Sequence, residues 1–279
     1  METGDILNNL NIIAEKLFKS VEGQVYEVLD KIVVIGPEIL KQEPLRNVFL
    51  ENKVNGVIII ANALVLFYVV YYTFTQLMCL YNGNKAENIY LFILKLVVVS
   101  IFVNNSYFIC EQLLTIVDAF TNAITMFTEQ IAGKQITFEN LKENILSIKD
   151  FMKNDLFTLD GLIKGIISFG AVSILINFSI RYVTIIFLII ISPIALVTLS
   201  SNITNGIFKT WGRTLVISLL TQVVVKIIIF IPIMYKEVDS VMYKIILVGS
   251  IYLLYRLNNF VKDIFVNIST TQPINNLFK

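Results

Sequence analysis

The side chains of this chain that could take part in chemistry are the ionisable and polar ones inside long apolar stretches. Lys226 lies within the aliphatic run 219–229, and Gln222 precedes it by four residues, a spacing that places both on one helix face. A lysine at the centre of a membrane helix costs about 2.5 to 3.5 kcal/mol, so such residues usually face protein or water. Lys226 and Gln222 are therefore candidates for a polar bundle interior or a channel lining. Lys95 is a third candidate, although its position near the end of an apolar stretch also allows it to snorkel to the interface.

The residue types present in the chain argue against most kinds of enzyme catalysis. The chain has no histidine and two cysteines, Cys79 and Cys110. Histidine-based acid–base catalysis, zinc sites and cysteine–histidine nucleophiles are therefore excluded or badly weakened. We expect no enzymatic activity, no cofactor and no metal site. The two cysteines lie near opposite ends of consecutive apolar stretches, which predicts two free thiols.

Composition indicates a membrane protein. The chain is 56% hydrophobic and 15% charged, with a mean hydropathy of +0.75, whereas soluble domains carry about 25% charged residues. The 22 basic and 21 acidic residues give a net charge of +1 and are mixed along the chain. Because phosphate recognition needs clustered basic residues, the sequence argues against a surface that reads nucleic acid directly.

Stretches long enough to cross a hydrocarbon core of about 30 Å predict an all-α membrane protein with about six transmembrane helices, within a range of five to seven. The predicted spans cover residues 54–81, 88–110, 161–180, 182–199, 214–235 and 241–255. On this prediction Arg181 is the hydrated tip of a tight turn between the third and fourth spans. Pro193 and Pro232 interrupt the backbone hydrogen bonding of their spans and predict kinks.

Two regions outside the predicted spans have helical periodicity with an apolar face. The amino-terminal region 1–53 repeats apolar residues at steps of three and four, and the central segment 111–160 does so in two stretches. The predicted apolar faces comprise Ile6, Leu10, Ile13, Leu17, Val21, Val25, Val28 and Ile32; Leu113, Ile116, Phe120, Ile124 and Phe127; and Phe138, Leu141, Ile145, Ile148 and Met152. Thr137 is the predicted cap of the last helix. We expect both regions to lie outside the hydrocarbon core.

These elements divide the chain into five regions. A hairpin of spans covers 54–110 and a transmembrane core covers 161–257, while 258–279 form a carboxyl-terminal tail. Gly161 and Gly165 have the spacing that permits close helix contact in membranes, so they are candidate packing residues.

One block of the core resembles a known family. Arg181-Tyr182 opens a long aliphatic helix that reaches Ser192-Pro193-Ile194-Ala195-Leu196. A short polar segment with Thr204 and Phe208 follows, and Trp211 opens another aliphatic helix. This pattern resembles the membrane core of the TrbL family, the polytopic inner-membrane subunits of type IV secretion and conjugation machines. The similarity is best over residues 160–235.

The resemblance implies a function without catalysis. It suggests a subunit of a translocation channel in the bacterial cytoplasmic membrane that acts with other type IV secretion membrane subunits and their ATPases. Such a subunit is expected to form a homo-oligomer in the lipid bilayer and to contact transferred DNA or protein only transiently. In that setting Lys226 and Lys95 would offer positive charge to a polyanion. The Ile-, Asn- and Lys-rich composition resembles that of proteins from AT-rich Gram-positive bacteria.

Two other classes of function fit the same composition. A small-solute transporter or permease subunit would also contain kinked helices and a buried lysine, but it is expected to show inverted repeats, and none is apparent. A membrane scaffold that transports nothing would lack a shared polar path through its spans.

Overall fold

The chain is helical throughout the part that the structure describes. The computed structural model describes residues 24–51, 56–83, 88–133, 135–146, 159–201, 204–235 and 240–270. Every regular element in these ranges is a helix, so the prediction of an all-α membrane protein is confirmed. The predicted apolar positions from Ile6 to Val21, together with Ile148 and Met152, lie outside the described residues.

The helices follow one another with short connections. Their bounds are 24–33 (α1), Glu43–Arg46 (α2), Val57–Tyr81 (α3), Ile89–Asn104 (α4), Ser106–Ala132 (α5), Phe138–Leu146 (α6), Leu159–Ile190 (α7), Ser192–Val197 (α8), Asn205–Met234 (α9) and Ser240–Thr270 (α10). A 3-10 turn and a π turn flank α2, at Pro37–Lys41 and Asn47–Glu51. The stretch between α1 and α3 therefore contains helical turns over its described part.

Four of the described helices are long and apolar enough to cross a membrane, and a bent pair raises the number to five. The four spans are Val57–Tyr81, Gly165–Ile190, Asn205–Met234 and Val241–Ile264. The pair is α4 and α5, which meet at Asn105 with a bend of 64°. At this break the side chains of Asn104 and Asn105 donate to the carbonyls of Ser100 and Ile101, both at 2.8 Å. Side-chain bonds of this kind to the preceding turn often accompany a bend in a helix.

The predicted turn at Arg181 is wrong. α7 continues without interruption from Leu159 to Ile190, so it joins the span predicted at 161–180 to the first half of the span predicted at 182–199. This continuity explains why the structure has four or five spans where about six were predicted. The helix ends at Ile190, and α8 starts with Pro193 in its first turn. Pro193 therefore marks the start of a new helix, whereas Pro232 lies inside α9.

The described residues form two compact units, each with its own apolar core. The first unit comprises Met1–Val34, Ala119–Tyr182 and Ile217–Lys279, and the second comprises Ile35–Asp118 and Val183–Val216. Buried residues at the centre of the first core include Leu29, Phe138, Phe178, Val225, Leu247 and Leu254. Those of the second core are Ala61, Val65, Val99, Val103, Leu196 and Val197, where α3 and α4 pack on each other and on α8.

The buried faces of the amphipathic helices differ from the predicted ones. In α1 the buried side chains are Val25, Tyr26, Leu29 and Val33, while Val28 is 41% exposed. In α5 the buried positions are Leu114, Val117, Thr121 and Thr128, while the predicted face of Ile116, Phe120 and Phe127 is exposed. In α6 Phe138 and Leu141 are buried as predicted. The apolar face of a helix is the buried face only where the opposite face meets water. In α5 most of the predicted apolar face is exposed instead.

The exposed apolar side chains on the spans indicate contact with lipid. On α3 Phe67 and Val70 are 69% and 66% exposed, and on α4 Leu91 and Leu94 are similarly exposed. Soluble monomers rarely expose contiguous apolar patches of more than a few hundred Å². In a bilayer the same surface costs nothing to expose, because lipid chains are as apolar as leucine. The protein is therefore a multi-pass membrane protein.

Two helices of the first unit approach each other closely at a glycine. A β-carbon added at Gly170 in α7 would collide with the Ile251 side chain of α10, whereas one added at Gly165 would meet nothing within 4 Å. Gly165 was predicted as a packing residue, yet within the chain the close contact is made at Gly170. Gly161 lies in the first turn of α7.

We expect Gly170→Ala to lower the thermal unfolding temperature in detergent. The added methyl group must displace a β-branched side chain on a neighbouring helix, and overpacking of this kind costs about 1 to 3 kcal/mol. The matched control is Gly165→Ala in the same helix, which should leave the unfolding temperature unchanged or raise it, because alanine favours helix. Equal effects of the two substitutions would show that α7 and α10 are not in contact at Gly170.

Candidate functional site: a buried polar cluster

Arg181 is the centre of a buried polar cluster in the first unit. Its side chain is 3% exposed, although it sits inside a membrane-spanning helix. Nε donates to the Ser218 carbonyl at 2.8 Å, and Nη1 donates to the Val33 carbonyl at 3.1 Å. The guanidinium also lies 6.0 Å from the centre of the Phe178 ring. The planar fork of donors thus joins α7 to α9 and to the end of α1.

Gln222 extends this cluster to a fourth helix. Its side chain is fully buried, and its Oε1 accepts from Arg181 Nη2 at 3.4 Å. Its Nε2 donates to the Thr121 hydroxyl of α5 at 3.3 Å. The amide therefore uses both its acceptor and its donor inside the protein, as a buried polar group must.

Lys226 is buried one helical turn beyond Gln222. Its side chain is 8% exposed, and Nζ donates to the carbonyl of Ile136 at 2.9 Å. Ile136 lies in the connection between α5 and α6 and is itself fully buried. The ammonium group therefore ties α9 to a loop of the same unit.

Asp30 completes the cluster from α1. Its Oδ1 accepts from the backbone amide of Phe138 at 2.9 Å, and its Oδ2 accepts from that of Glu139 at 3.1 Å. Thr137 Oγ1 accepts from the amide of Asn140 at 3.1 Å, which confirms Thr137 as the cap of α6. Free amides at a helix start attract negative charge. The first turn of α6 is therefore held by a local cap and by a carboxylate from another helix.

Burial dominates the electrostatics of Asp30. Desolvation raises the pKa of this carboxyl above its ordinary value, and the two backbone amides and the charge of Lys226 offset only part of that shift. On the exposed side of the same helix the opposite holds for Glu27. Its pKa is lowered because Lys31 Nζ donates to its carboxylate at 2.7 Å and adds a positive charge.

The cluster fastens elements together. Each of its side chains holds backbone or side-chain groups of another element of the unit. Where the helices cross the bilayer, no water can replace these bonds. Its charged groups are one arginine, one lysine and one aspartate, which is not a metal-ligand set. Among the described residues, no group of three or more His, Cys, Asp or Glu side chains could hold a metal ion. Cys79 and Cys110 are free thiols.

The remaining motif residues make contacts of their own in the second unit. Trp211 is 6% exposed, and its Nε1 donates to the Leu188 carbonyl at 2.8 Å. Its ring lies 5.7 Å from that of Phe208. Thr204 Oγ1 donates to the Thr198 carbonyl at 2.9 Å, which closes the turn before α9. The polar connection is shorter than predicted, because α9 begins at Asn205 and already includes Trp211.

Lys95 does not join the buried cluster. It belongs to the second unit, whereas Gln222 and Lys226 belong to the first. Its side chain is exposed and lines a groove beside α4.

Two members of the cluster were missed by sequence reasoning. Asp30 stands next to the buried Leu29 in an amphipathic helix, where an acid would ordinarily be assigned to the solvated face. It is 108 positions from Phe138 in the chain. Thr121 is 101 positions from Gln222, and its signal was its place on one helix face with Leu114 and Val117. Neither pairing leaves a local pattern in the sequence.

The chain matches no protein-family model, no curated protein sequence and no solved structure. What the protein does must therefore be argued from its own residues and their contacts.

We expect Arg181→Lys to destabilise the protein although it keeps the charge. A single ammonium group cannot reproduce three donors that diverge to Val33, Ser218 and Gln222, so buried acceptors lose partners. The expected loss is about 2 to 4 kcal/mol, measured by unfolding in detergent with increasing dodecyl sulfate. The control Arg213→Lys, at an exposed position in α9, should change stability by less than about 0.5 kcal/mol. An Arg181→Lys variant as stable as this control would contradict the assignment of Arg181 as the fastening residue.

The two carboxyls of α1 should affect stability with opposite dependence on pH. The raised pKa of Asp30 means that the folded protein holds this proton more tightly than the unfolded chain. Its contribution is therefore greatest below the ordinary value of about 4 and falls as pH rises through the raised folded pKa. The lowered pKa of Glu27 means that its contribution is present at neutral pH and is lost as pH falls.

Two substitutions test this pair. The difference in unfolding free energy between the wild type and Asp30→Asn should decrease as pH rises, and the difference between the wild type and Glu27→Gln should decrease as pH falls. The measurement is chemical unfolding in detergent from about pH 2 to about pH 8, because Glu27 titrates below its ordinary value of about 4.3 and Asp30 titrates above its ordinary value of about 3.9. The same sign of slope for both differences would refute the assigned environment of Asp30.

Proposed function

We propose that this protein is a polytopic subunit of a translocation channel in a type IV secretion or conjugation system. It would reside in the cytoplasmic membrane of a Gram-positive bacterium and help DNA or protein cross that membrane. Bitopic scaffold subunits would hold it in place, and membrane-bound ATPases would supply the work. The support is the resemblance of residues 160–235 to the TrbL family core, together with the multi-pass helical fold.

The contacts made by the motif residues are the observation that carries this proposal. Pro193 starts a helix, Trp211 donates to the Leu188 carbonyl, Thr204 closes the turn before α9, and Arg181 holds three partners. The contacts of Trp211 and Arg181 join residues at least 23 positions apart in the chain, whereas those of Pro193 and Thr204 are local. The pattern therefore behaves as a signature of a packed core, which supports the family resemblance.

The buried cluster also limits how such a channel could work. Lys226 and Gln222 are engaged inside the first unit, so they are poorly placed to meet a polyanion. A path for DNA or protein would then be formed between copies or between different subunits. This arrangement agrees with a protein that acts as a homo-oligomer and contacts its substrate only transiently.

A small-solute transporter or permease subunit is the second candidate function. The observation that favours it is the buried charge within the membrane helices, since ionisable groups at this depth often mark transport pathways. A scaffold that transports nothing is the third. It would use the same cluster only for stability.

The partners that co-purify with the protein should distinguish these functions. We expect a tagged protein, extracted from its native host in mild detergent, to bring down a secretion ATPase and bitopic membrane proteins at near-equal abundance by mass spectrometry. A strain lacking the gene should also lose conjugative transfer and regain it when the wild-type gene is supplied.

The control is a tagged multi-pass protein of unrelated function from the same membrane, which should recover none of these partners. Recovery with a solute-binding protein and an ABC-type ATPase would instead support a transporter. Normal conjugative transfer in the deletion strain would contradict the channel proposal.

A further inference from the structure

Helix α5 has an apolar face that the described part of the protein leaves exposed. The four large side chains on this face are at least 52% exposed; they are Ile116, Phe120, Phe127 and Ile131. They follow one another at steps of four, seven and four residues, so they lie on one side of the helix. An uncovered apolar face of this size is typical of contact with a partner or with a membrane.

The other two sides of α5 have different environments. One side is buried in the protein and carries Leu114, Val117, Thr121 and Thr128. The other is acidic. Glu111, Asp118 and Glu129 are the only charged residues of α5, and they recur at steps of seven and eleven, close to two and three helical turns. The exposed apolar face therefore carries no charge, and every charge of the helix lies on a separate side.

The start of α5 lies near the edge of the hydrocarbon core. α4 runs beside α3 in the opposite direction, since the Tyr72 and Phe92 rings stack at 3.5 Å and Asn62 Nδ2 donates to Asn104 Oδ1 at 3.3 Å. α3 is a membrane span, and Asn62 lies in its second turn, about 8 Å from its start. Asn104 is the last residue of α4, so α4 ends close to the level at which α3 enters the membrane.

The direction of α5 takes it along the membrane. Its axis turns by 64° from that of α4 at Asn105. Spanning helices tilt by about 20° on average from the bilayer normal, so a helix at this angle to α4 lies closer to the membrane plane than to the normal. α5 is also not among the described helices that are apolar enough to cross a membrane by themselves.

We propose that α5 lies in the interface of the bilayer, with its exposed apolar face inserted between lipid acyl chains and its acidic side toward water. Helices of this kind bury their apolar face roughly 5 to 10 Å into the boundary between headgroups and acyl chains. Because α5 contains no lysine or arginine, its attraction to lipid comes from apolar area and needs no anionic headgroup. The inference goes beyond the proposed function, since it does not depend on what crosses the membrane.

Depth-dependent fluorescence quenching tests this placement. The full-length variants Ile116→Trp, Phe120→Trp, Phe127→Trp and Ile131→Trp are reconstituted separately into phosphatidylcholine bilayers that are brominated at different positions of the acyl chain. Trp211 is the only tryptophan of the wild type and is buried, so the wild-type signal can be subtracted. We expect the same shallow bromine position to quench all four most strongly, with depths that agree within about 5 Å.

Three other results would overturn the proposal. At roughly 1.5 Å per residue, Ile116 and Ile131 would differ in depth by about 22 Å if α5 crossed the membrane. Quenching by water-soluble acrylamide but not by brominated lipid would place the face in water. Quenching by neither reagent would show that a second copy or another protein covers the face.

Asn122→Trp is the matched control in the same helix. Asn122 is exposed and lies on the acidic side, four residues after Asp118. We expect acrylamide to quench this variant and brominated lipid to leave it nearly unchanged. Lipid quenching as strong as that of Phe120→Trp would contradict the proposed orientation of the helix.

Photolabelling of the wild type gives a test that needs no substitution. A lipid-soluble diazirine is photolysed in bilayers that contain the full-length protein, and the labelled residues are located by mass spectrometry. We expect label on Phe120 and Phe127 and none on the buried Leu114 and Val117. An unlabelled apolar face would refute the proposal even if a tryptophan variant failed to fold.

Discussion

The burial of one guanidinium group inside a membrane helix is the constraint on which the first unit depends. A charged group at this depth is tolerated only where protein atoms replace its hydration. The Val33 and Ser218 carbonyls and Gln222 supply that replacement for Arg181. Ser218 and Gln222 lie one turn apart in α9, and Val33 lies at the end of α1. The positions of α1, α7 and α9 are therefore coupled, because moving any one of them leaves part of the charge without a partner. Lys226 and Asp30 extend the same coupling to the loop before α6 and to its first turn.

The parts of this fold that depend on local chemistry could be predicted from the sequence. Long apolar runs identified the spans, and Thr137 was identified as a cap because its partner is three residues away. Arg181 was assigned to a turn because a charge in an apolar run usually marks the end of a span, and its Val33 partner is 148 positions away. The cluster of Asp30, Thr121, Gln222 and Lys226 depends on contacts of this kind. The two partners in each of these contacts lie too far apart in the chain to appear in one short stretch of sequence.

The medium around each helix, water or lipid, explains the other differences between the predicted and the observed buried faces. Apolar periodicity locates a buried face when the alternative is water, as it does for Phe138 and Leu141 in α6. In α5 the apolar residues Phe120 and Phe127 point outward, and the inner face carries Thr121 and Thr128. Where lipid surrounds a helix, the usual preference is reversed, because apolar side chains lose nothing at its outer face while hydroxyl groups need partners. The Thr128 hydroxyl, for example, donates to the Ile124 carbonyl at 2.7 Å.

The distance in sequence between Val33 and Arg181 has a consequence for biosynthesis. The ribosome adds about 5 to 20 residues per second, so Arg181 emerges on the order of ten seconds after Val33. During that interval the end of α1 has no guanidinium to hold it, and the amides at the start of α6 are still to be made when Asp30 has already left the ribosome. Helix α1 can therefore make its contact with Arg181 only after α7 has been synthesised. Among the described helices, α1 is made first and completes its contacts late.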